Sequence, residues 1–223
     1  MTRGTGPPRR IGVLGGTFDP PHIGHLIVAC EALWQLELDE VRLVPARTPP
    51  HKDGVGIAPA ERRAEWLERA VERRPGLVVS RVELSRPGPS YTADTMEALA
   101  AEQPGAGLWF LLGADQLAGF PGWREPERIL AVARLGVVDR SGEGEGETAL
   151  ATLAERVAPG RHDLLDVPRI DVSSSMIRRR IAAGEPIGHL VPAPVEEALA
   201  REGLVPSRRP TEQRKDPSRP RSS

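Results

Sequence analysis

The stretch GGTFDPPHIGHL, residues 15–26, gathers side chains that suit one kind of chemistry. Gly15 and Gly16 let the backbone approach a ligand closely. The residues after Pro21 read as the start of a helix, whose first N–H groups lack partners and carry the positive end of the helix dipole. His22 and His25 are three apart, so at a helix start they share a face. Two imidazole N–H donors pointing one way suit a polyphosphate, because they stabilise charge that develops on bridging and non-bridging oxygens. Half a metal site is an alternative for His-x-x-His, with Asp19 as a third ligand, and a structural helix cap is another. The dinucleotide fingerprint G-x-G-x-x-G and the G-x-x-x-x-G-K-[ST] phosphate loop are both absent.

A second stretch, VSSSMIR at residues 172–178, complements the first. Ser173, Ser174 and Ser175 at a helix start offer hydroxyl and backbone donors. Arg178, one turn further on, carries a planar fork that fits a phosphate. By itself the segment is also readable as an over-capped helix; paired with the histidine turn it reads as the opposite jaw of a triphosphate clamp.

The elements that position these residues follow from the apolar pattern. Strands are expected at Ile11–Leu14, Val41–Val44, Leu77–Leu84, Leu108–Leu112, Leu135–Val138 and near 163–167. Helices are expected at 24–36, 59–74, after Ser90 with Thr92 or Asp94 as N-cap, at about 125–133, near 147–157, from the serines to Gly184, and at Pro194–Glu202. SGEGEGE at 141–147 reads as a solvated loop and Cys30 as a small core residue. Alternating strands and helices imply parallel pairing with right-handed crossovers. The expected fold is therefore α/β, a Rossmann-like doubly wound parallel sheet in a single domain spanning residues 10–205. Ligands of such sheets bind at the carboxyl ends of the strands, so the Gly15, 49–52, 113–115 and 173–175 segments should share one rim.

Composition narrows the partners. The chain has 223 residues and a formal net charge of -1, which gives no general reason to expect nucleic acid or a membrane surface. A chain of this length buries roughly 70% of its unfolded surface and needs no disulfide or structural metal. The single cysteine fits a reducing cytosol, no apolar run approaches the length of about 18 residues that a membrane helix needs, and the basic N-terminus lacks the apolar middle of a signal peptide. A cytoplasmic protein is expected. Residues 1–9 read as a flexible arm and 206–223, without a large apolar residue, as a disordered basic tail. A homo-oligomer is left open.

GGTFDPPHIGHL resembles the G-x-F-x-x-x-H-x-G-H signature of the nucleotidylyltransferases related to class I aminoacyl-tRNA synthetases, and VSSSMIRRRI looks like their I-S-S-T-x-I-R segment. PPHK (49–52), PSYTADT (89–95) and LLGADQLAGFPGWREPERIL (111–130) narrow the likeness to the bacterial nicotinate-nucleotide adenylyltransferases, over residues 10 to 205. The resemblance implies transfer of the adenylyl group of ATP to nicotinate mononucleotide, giving nicotinate adenine dinucleotide and pyrophosphate, with Mg²⁺ brought mainly on the ATP phosphates and no metal held by the protein alone. It implies catalytic roles for His22, His25 and Arg178, and ATP contacts from Gly15, Gly16, Thr17, Phe18, Ser173, Ser174 and Ser175. For the mononucleotide it implies Lys52, the turn at Tyr91, Thr92 and Ala93 around the pyridine carboxylate, Asp115 between the substrates, and Trp123 stacked on the ring. The sequence departs from the family pattern at Arg47 and Thr48, where Asn is frequent, at Ser175, where Thr is usual, and at Val205, where a Tyr is common. The rival readings are a sister enzyme acting on nicotinamide mononucleotide or phosphopantetheine, and a nucleotide-binding regulator without catalysis.

Overall fold

The computed structural model describes residues 7–48, 57–139 and 145–205, and for 145–147 the backbone alone. Six strands form one sheet: β1 (Arg10–Gly16), β2 (Glu40–Pro45), β3 (Leu77–Val79), β4 (Gly107–Gly113), β5 (Ala133–Asp139) and β6 (His162–Asp166). Their order across the sheet is β3-β2-β1-β4-β5-β6, and every neighbouring pair is parallel. The chain winds from β1 outward to β3, returns to lie β4 on the other side of β1, and winds outward again to β6. The direction reverses between β1 and β4, so a ligand crevice belongs at their carboxyl ends.

Alternation along the central strands divides the core in two. On β4, Trp109 and Leu111 face one side, while Leu108, Phe110 and Leu112 face the other. The first side is covered by α1 (Ile23–Gln35), α2 (Ala60–Val71), α7 (Ser174–Ala182) and α8 (Ala193–Arg201). The second is covered by α3 (Thr92–Glu102), α4 (Ala114–Leu117), α5 (Pro126–Val132) and α6 (Glu145–Val157). Near-continuous apolar strands are what a parallel sheet buried on both faces requires. The edge strand β6 is tied to α1 by Gln35, whose amide donates to the Asp166 carbonyl at 2.7 Å and accepts from the Asp166 N–H at 3.1 Å.

Several boundaries differ from the sequence expectation. The strand expected at Leu77–Leu84 ends at Val79. It is an edge strand paired only with β2, whose last partner is Leu43. Beyond it the chain turns, with Leu84 and Ser85 N–H groups donating to the Arg81 carbonyl, and Glu83 turns inward to accept from Thr95 at 2.7 Å. Neither Thr92 nor Asp94 caps α3; Tyr91 occupies that position and its side chain makes no capping bond. Helix α6 begins at Glu145, inside the stretch expected to be a loop, whose first residues lie outside the described set. Cys30 is half-buried against the core. The short α4 and the 3₁₀ turn at Phe120–Gly122 have too few residues to show a period, and the apolar pattern does not announce them. By contrast α7 has Ser173 as its cap, the hydroxyl accepting from Met176 N–H at 3.2 Å, and ends before Gly184 at φ 69°.

Asp163 on β6 joins three elements, accepting from Trp109 Nε1 and Arg134 Nε, each at 2.8 Å. Burial pushes its carboxyl up, but the bonds from Arg134 and Trp109 outweigh that and hold it below its ordinary value. A depressed folded pKa contributes stability above the unfolded value that is lost as pH falls through the folded one. Urea unfolding of wild type and Asp163→Asn across a pH series should show the wild type ahead near neutrality. That lead should shrink as pH drops below about 4, and a constant lead to the lowest pH would contradict the linkage.

Candidate active site

After β1 the chain makes a tight turn. Phe18 adopts φ 51° and is buried, its ring edge-on to His25 with centroids 4.8 Å apart. A Cβ on Gly16 would lie 2.9 Å from the Phe18 ring, so only glycine leaves room for this tuck. The Asp19–Pro20 peptide is cis. Helix α1 then starts with His22 at the N-cap, and the His22 N–H donates to His25 Nδ1 at 3.1 Å. Nδ1 of His25 is therefore an acceptor, and the neutral ring carries its proton on Nε2. The two imidazoles stack, centroids 3.6 Å apart and planes inclined by 26°. The intervening Gly24 permits this, since a Cβ there would sit 3.1 Å from His22 Nδ1. Sequence spacing puts the two rings on one face, and the structure does the same.

The serine–arginine segment meets this turn directly. Ser174 Oγ donates to the Pro20 carbonyl at 2.9 Å. Arg178 Nη1 donates to the Asp19 carbonyl at 2.8 Å and lies 3.5 Å from Asp19 Oδ2, while Nη2 donates to Ser175 Oγ at 3.2 Å. Residues more than 150 positions apart in sequence thus share one cluster.

A cavity of about 690 Å³ opens at the carboxyl ends of β1 and β4. Gly15, Gly16, Thr17, His25, Tyr91, Thr92, Asp115 and Trp123 line it; of the segments expected on one rim, Gly15 meets Gly113 and Asp115 there, and 49–52 lie outside the described residues. Phe18, His22 and Ala93 are buried beside it rather than in its wall. Ser174 and Arg178 bond to the Asp19–Pro20 turn, but Ser173, Ser174, Ser175 and Arg178 do not line the cavity, so the serine segment stands off the rim where the sequence places it. Lys52 lies outside the described residues. Trp123 packs against Phe110 and Phe120 with centroids 5.8 and 5.4 Å away, and the Arg124 guanidinium lies 4.3 Å over the Tyr91 ring. Among the described residues, no three His, Cys, Asp or Glu side chains gather to hold a metal.

Three participants escape a reading of the sequence. Glu83 and Ser90 line the cavity. Arg63 of α2 is 1% exposed and donates to the carbonyls of Ala58, Thr17 and Ala46, with a longer bond to Arg47. Burial lowers its pKa from the usual guanidinium value, and Asp19 and Glu83 oppose that. A signal is present in the sequence: Arg63 falls on the same face of α2 as Trp66, Leu67 and Ala70, where an arginine with no role would not be kept from water. Arg47, which stands where the family often has Asn, donates to the Leu84 and Arg86 carbonyls, and its N–H donates to Ser90 Oγ.

Residues 13–180 match the cytidylyltransferase-like family. A probable nicotinate-nucleotide adenylyltransferase of Thermomicrobium roseum is 45% identical over 197 residues, covering 87% of this chain and 91% of that one. One from a Nocardioides species is 39% identical and covers 92% and 98%. Among solved structures, the Plasmodium falciparum nicotinic acid mononucleotide adenylyltransferase complexed with NaAD superposes with a TM-score of 0.71 at 17% identity, over 88% of this chain and 97% of that one. That likeness carries the fold.

The Asp19–Pro20 turn should be only as rigid as its side-chain ties. Loss of one charge-assisted hydrogen bond is worth about 1.5–3 kcal/mol. Arg178→Ala should therefore speed hydrogen exchange at the Asp19 and His22 amides by about tenfold to hundredfold, leaving the β4 amides unchanged. Unchanged exchange at both would show that the ties do not hold the turn.

Proposed function

The chain belongs to the nicotinate-nucleotide adenylyltransferase family, and on that premise we propose that it transfers the adenylyl group of ATP to nicotinate mononucleotide at the cavity beside His25. A 5′-phosphate oxygen of the mononucleotide attacks the α-phosphorus of ATP. The bond from that phosphorus to the bridging oxygen of the β-phosphate breaks, and pyrophosphate leaves with the electron pair. The nucleophile is already ionised at neutral pH, so no general base is needed. The protein's work is to bring two anions together in line and to neutralise charge on the leaving group.

The observation that carries this reading is the His22–His25 pair. Acceptance by His25 Nδ1 leaves Nε2 as a donor on a residue that lines the cavity. In this reading both imidazoles act on the phosphates, with backbone contacts from Gly15, Gly16, Thr17 and Phe18. Ser173, Ser174, Ser175 and Arg178 take the triphosphate from the other jaw through backbone N–H groups and the remaining guanidinium donors, while Ser174 Oγ and Arg178 Nη1 keep the Asp19–Pro20 turn in place. Helix α3 has no side-chain cap, so the first amides at Tyr91, Thr92 and Ala93 are left to receive the pyridine carboxylate. Trp123 stacks on the ring and Asp115 sits at the junction of the substrates. Lys52 meets the mononucleotide phosphate in this reading and lies outside the described residues. The imidazole, hydroxyl, amide and guanidinium donors around the cavity fit phosphate oxygens, and the carboxylates of Glu83 and Asp115 stand in the same wall. Mg²⁺ fits this site as a passenger on the ATP phosphates, where it would withdraw charge from the oxygens that hold it. We place the reaction in the cytoplasm; no helix among the described residues is long and apolar enough to cross a membrane.

A pyrophosphate-release assay with ATP and each mononucleotide tests the assignment. Turnover should be at least tenfold faster with the acid than with the amide. An equal or faster rate with the amide would refute the carboxylate pocket, and no release with either would favour the regulator reading. His25→Ala should fold normally and lose at least about 10²-fold in turnover; near-normal activity would remove His25 from the mechanism.

A further inference from the structure

The cavity wall includes two turns that approach from different parts of the chain, the one after β1 at Thr17 and the one before α3 at Ser90–Thr92. A turn that lines a phosphate site is useful when its N–H groups face the ligand. Its carbonyls must then be satisfied elsewhere, because a buried carbonyl without a partner is strongly disfavoured. In a trans peptide the C=O and the following N–H point in opposite directions. Among the described residues the one cis peptide is Asp19–Pro20, so the Thr17–Phe18 and Ala46–Arg47 peptides are trans.

Arg63 is the group that receives these carbonyls. Nη1 takes the Thr17 oxygen, Nη2 takes the Ala46 oxygen, and Nε takes the Ala58 oxygen at 2.9 Å. Drawing the Thr17 carbonyl inward turns the Phe18 N–H away from the guanidinium. Drawing the Ala46 carbonyl inward turns the Arg47 N–H outward, and that N–H donates to Ser90 Oγ at 3.0 Å. Ser90 N–H in turn donates to the Thr48 carbonyl at 3.2 Å. Thr17, Ala46 and Ser90 all line the cavity. A single planar fork thus sets the peptide on the ATP side and, through the Ala46–Arg47 peptide and Ser90, the turn on the mononucleotide side.

We propose that Arg63 is a positioning residue for both substrates, acting through the Thr17 and Ala46 carbonyls rather than by touching either ligand. The proposal rests on the adenylyl-transfer reading for its catalytic consequence. A Lys at this position has the charge but not the fork, and cannot hold carbonyls in three directions from one plane.

The test uses Arg63→Lys and Arg63→Ala in the full chain, with wild type assayed alongside for pyrophosphate release from ATP and nicotinate mononucleotide. Arg63→Lys, folded by circular dichroism, should show kcat/KM lowered at least tenfold for each substrate, with KM raised for both. Arg63→Ala should lose more, and millimolar guanidinium should restore its rate several-fold while leaving wild type unchanged. If Arg63→Ala does not fold, Arg63→Lys decides. Amide exchange is read on the same samples: Phe18 and Arg47 N–H should exchange faster in Arg63→Lys. A folded Arg63→Lys with wild-type kcat/KM for both substrates overturns the proposal, as does unchanged exchange at Phe18 and Arg47. Wild type inactive with both mononucleotides would instead overturn the functional reading, and the exchange measurement would still decide the role of Arg63.

Discussion

The carbonyl oxygens of Thr17, Asp19 and Pro20 lie in one turn between β1 and α1, and each accepts a hydrogen bond from a side chain rooted elsewhere: Arg63, Arg178 and Ser174. The rest of the site depends on this constraint. A turn cannot offer its amides to an anion while its carbonyls are unsatisfied in a low-dielectric interior. Two arginines and a serine supply the missing donors, and glycines at 16 and 24 remove the Cβ atoms that would collide with Phe18 and His22. The stacked imidazoles follow from that arrangement: His22 sits at the N-cap of α1 with an extended backbone and lends its N–H to His25.

The topology explains why these donors arrive where they do. The winding reverses between β1 and β4, so the space above those two strands is not roofed by a crossover helix. The cavity takes that space. Helix α2 follows β2 and packs on one face, which carries Arg63 beneath the turns after β1 and β2. Helix α7 follows β6 and covers the same face, which carries Ser174 and Arg178 to the Asp19–Pro20 turn. Helix α3 packs on the other face and brings its uncapped N-terminus to the cavity at Tyr91 and Thr92.

Much of this is legible in the residues. Buried strands declare themselves by short apolar runs, and five of the six lie within a few residues of where those runs place them. The sixth, β3, is shorter than its pattern because Val82 and Leu84 continue an apolar alternation, although the chain has by then left its only partner strand. The histidine turn and the serine cap are legible because their types and spacing are local. Arg63 is not, because its role lies in carbonyl groups that every residue possesses; sequence marks the donor and hides the acceptor. The short α4 and the 3₁₀ turn at Phe120–Gly122 offer fewer residues than one helical period needs, and tertiary contacts set them. The Arg47 departure, which on sequence alone weakens the case for mononucleotide contacts, has a structural account: the long side chain reaches the Leu84 and Arg86 carbonyls and holds the turn that leads to Ser90.

A reaction whose nucleophile is ionised from the outset has no proton to remove, so its rate is governed by geometry and by the field around two anions. That shifts the burden from a single reactive side chain to the backbone. An imidazole donor misdirected by about 1 Å loses much of its effect on an oxygen that bears developing charge. The ring of His25 is held by a main-chain N–H, by the stacked His22 and by the edge contact with Phe18, and Phe18 in turn is held because Gly16 yields space and Arg63 fixes the carbonyl before it. In the proposed reaction, precision at the phosphates would therefore trace back through one chain of contacts to a buried guanidinium on α2. Such a site tolerates change at exposed positions around the cavity more readily than at Gly16, Gly24 or Arg63, none of which carries out any chemistry itself.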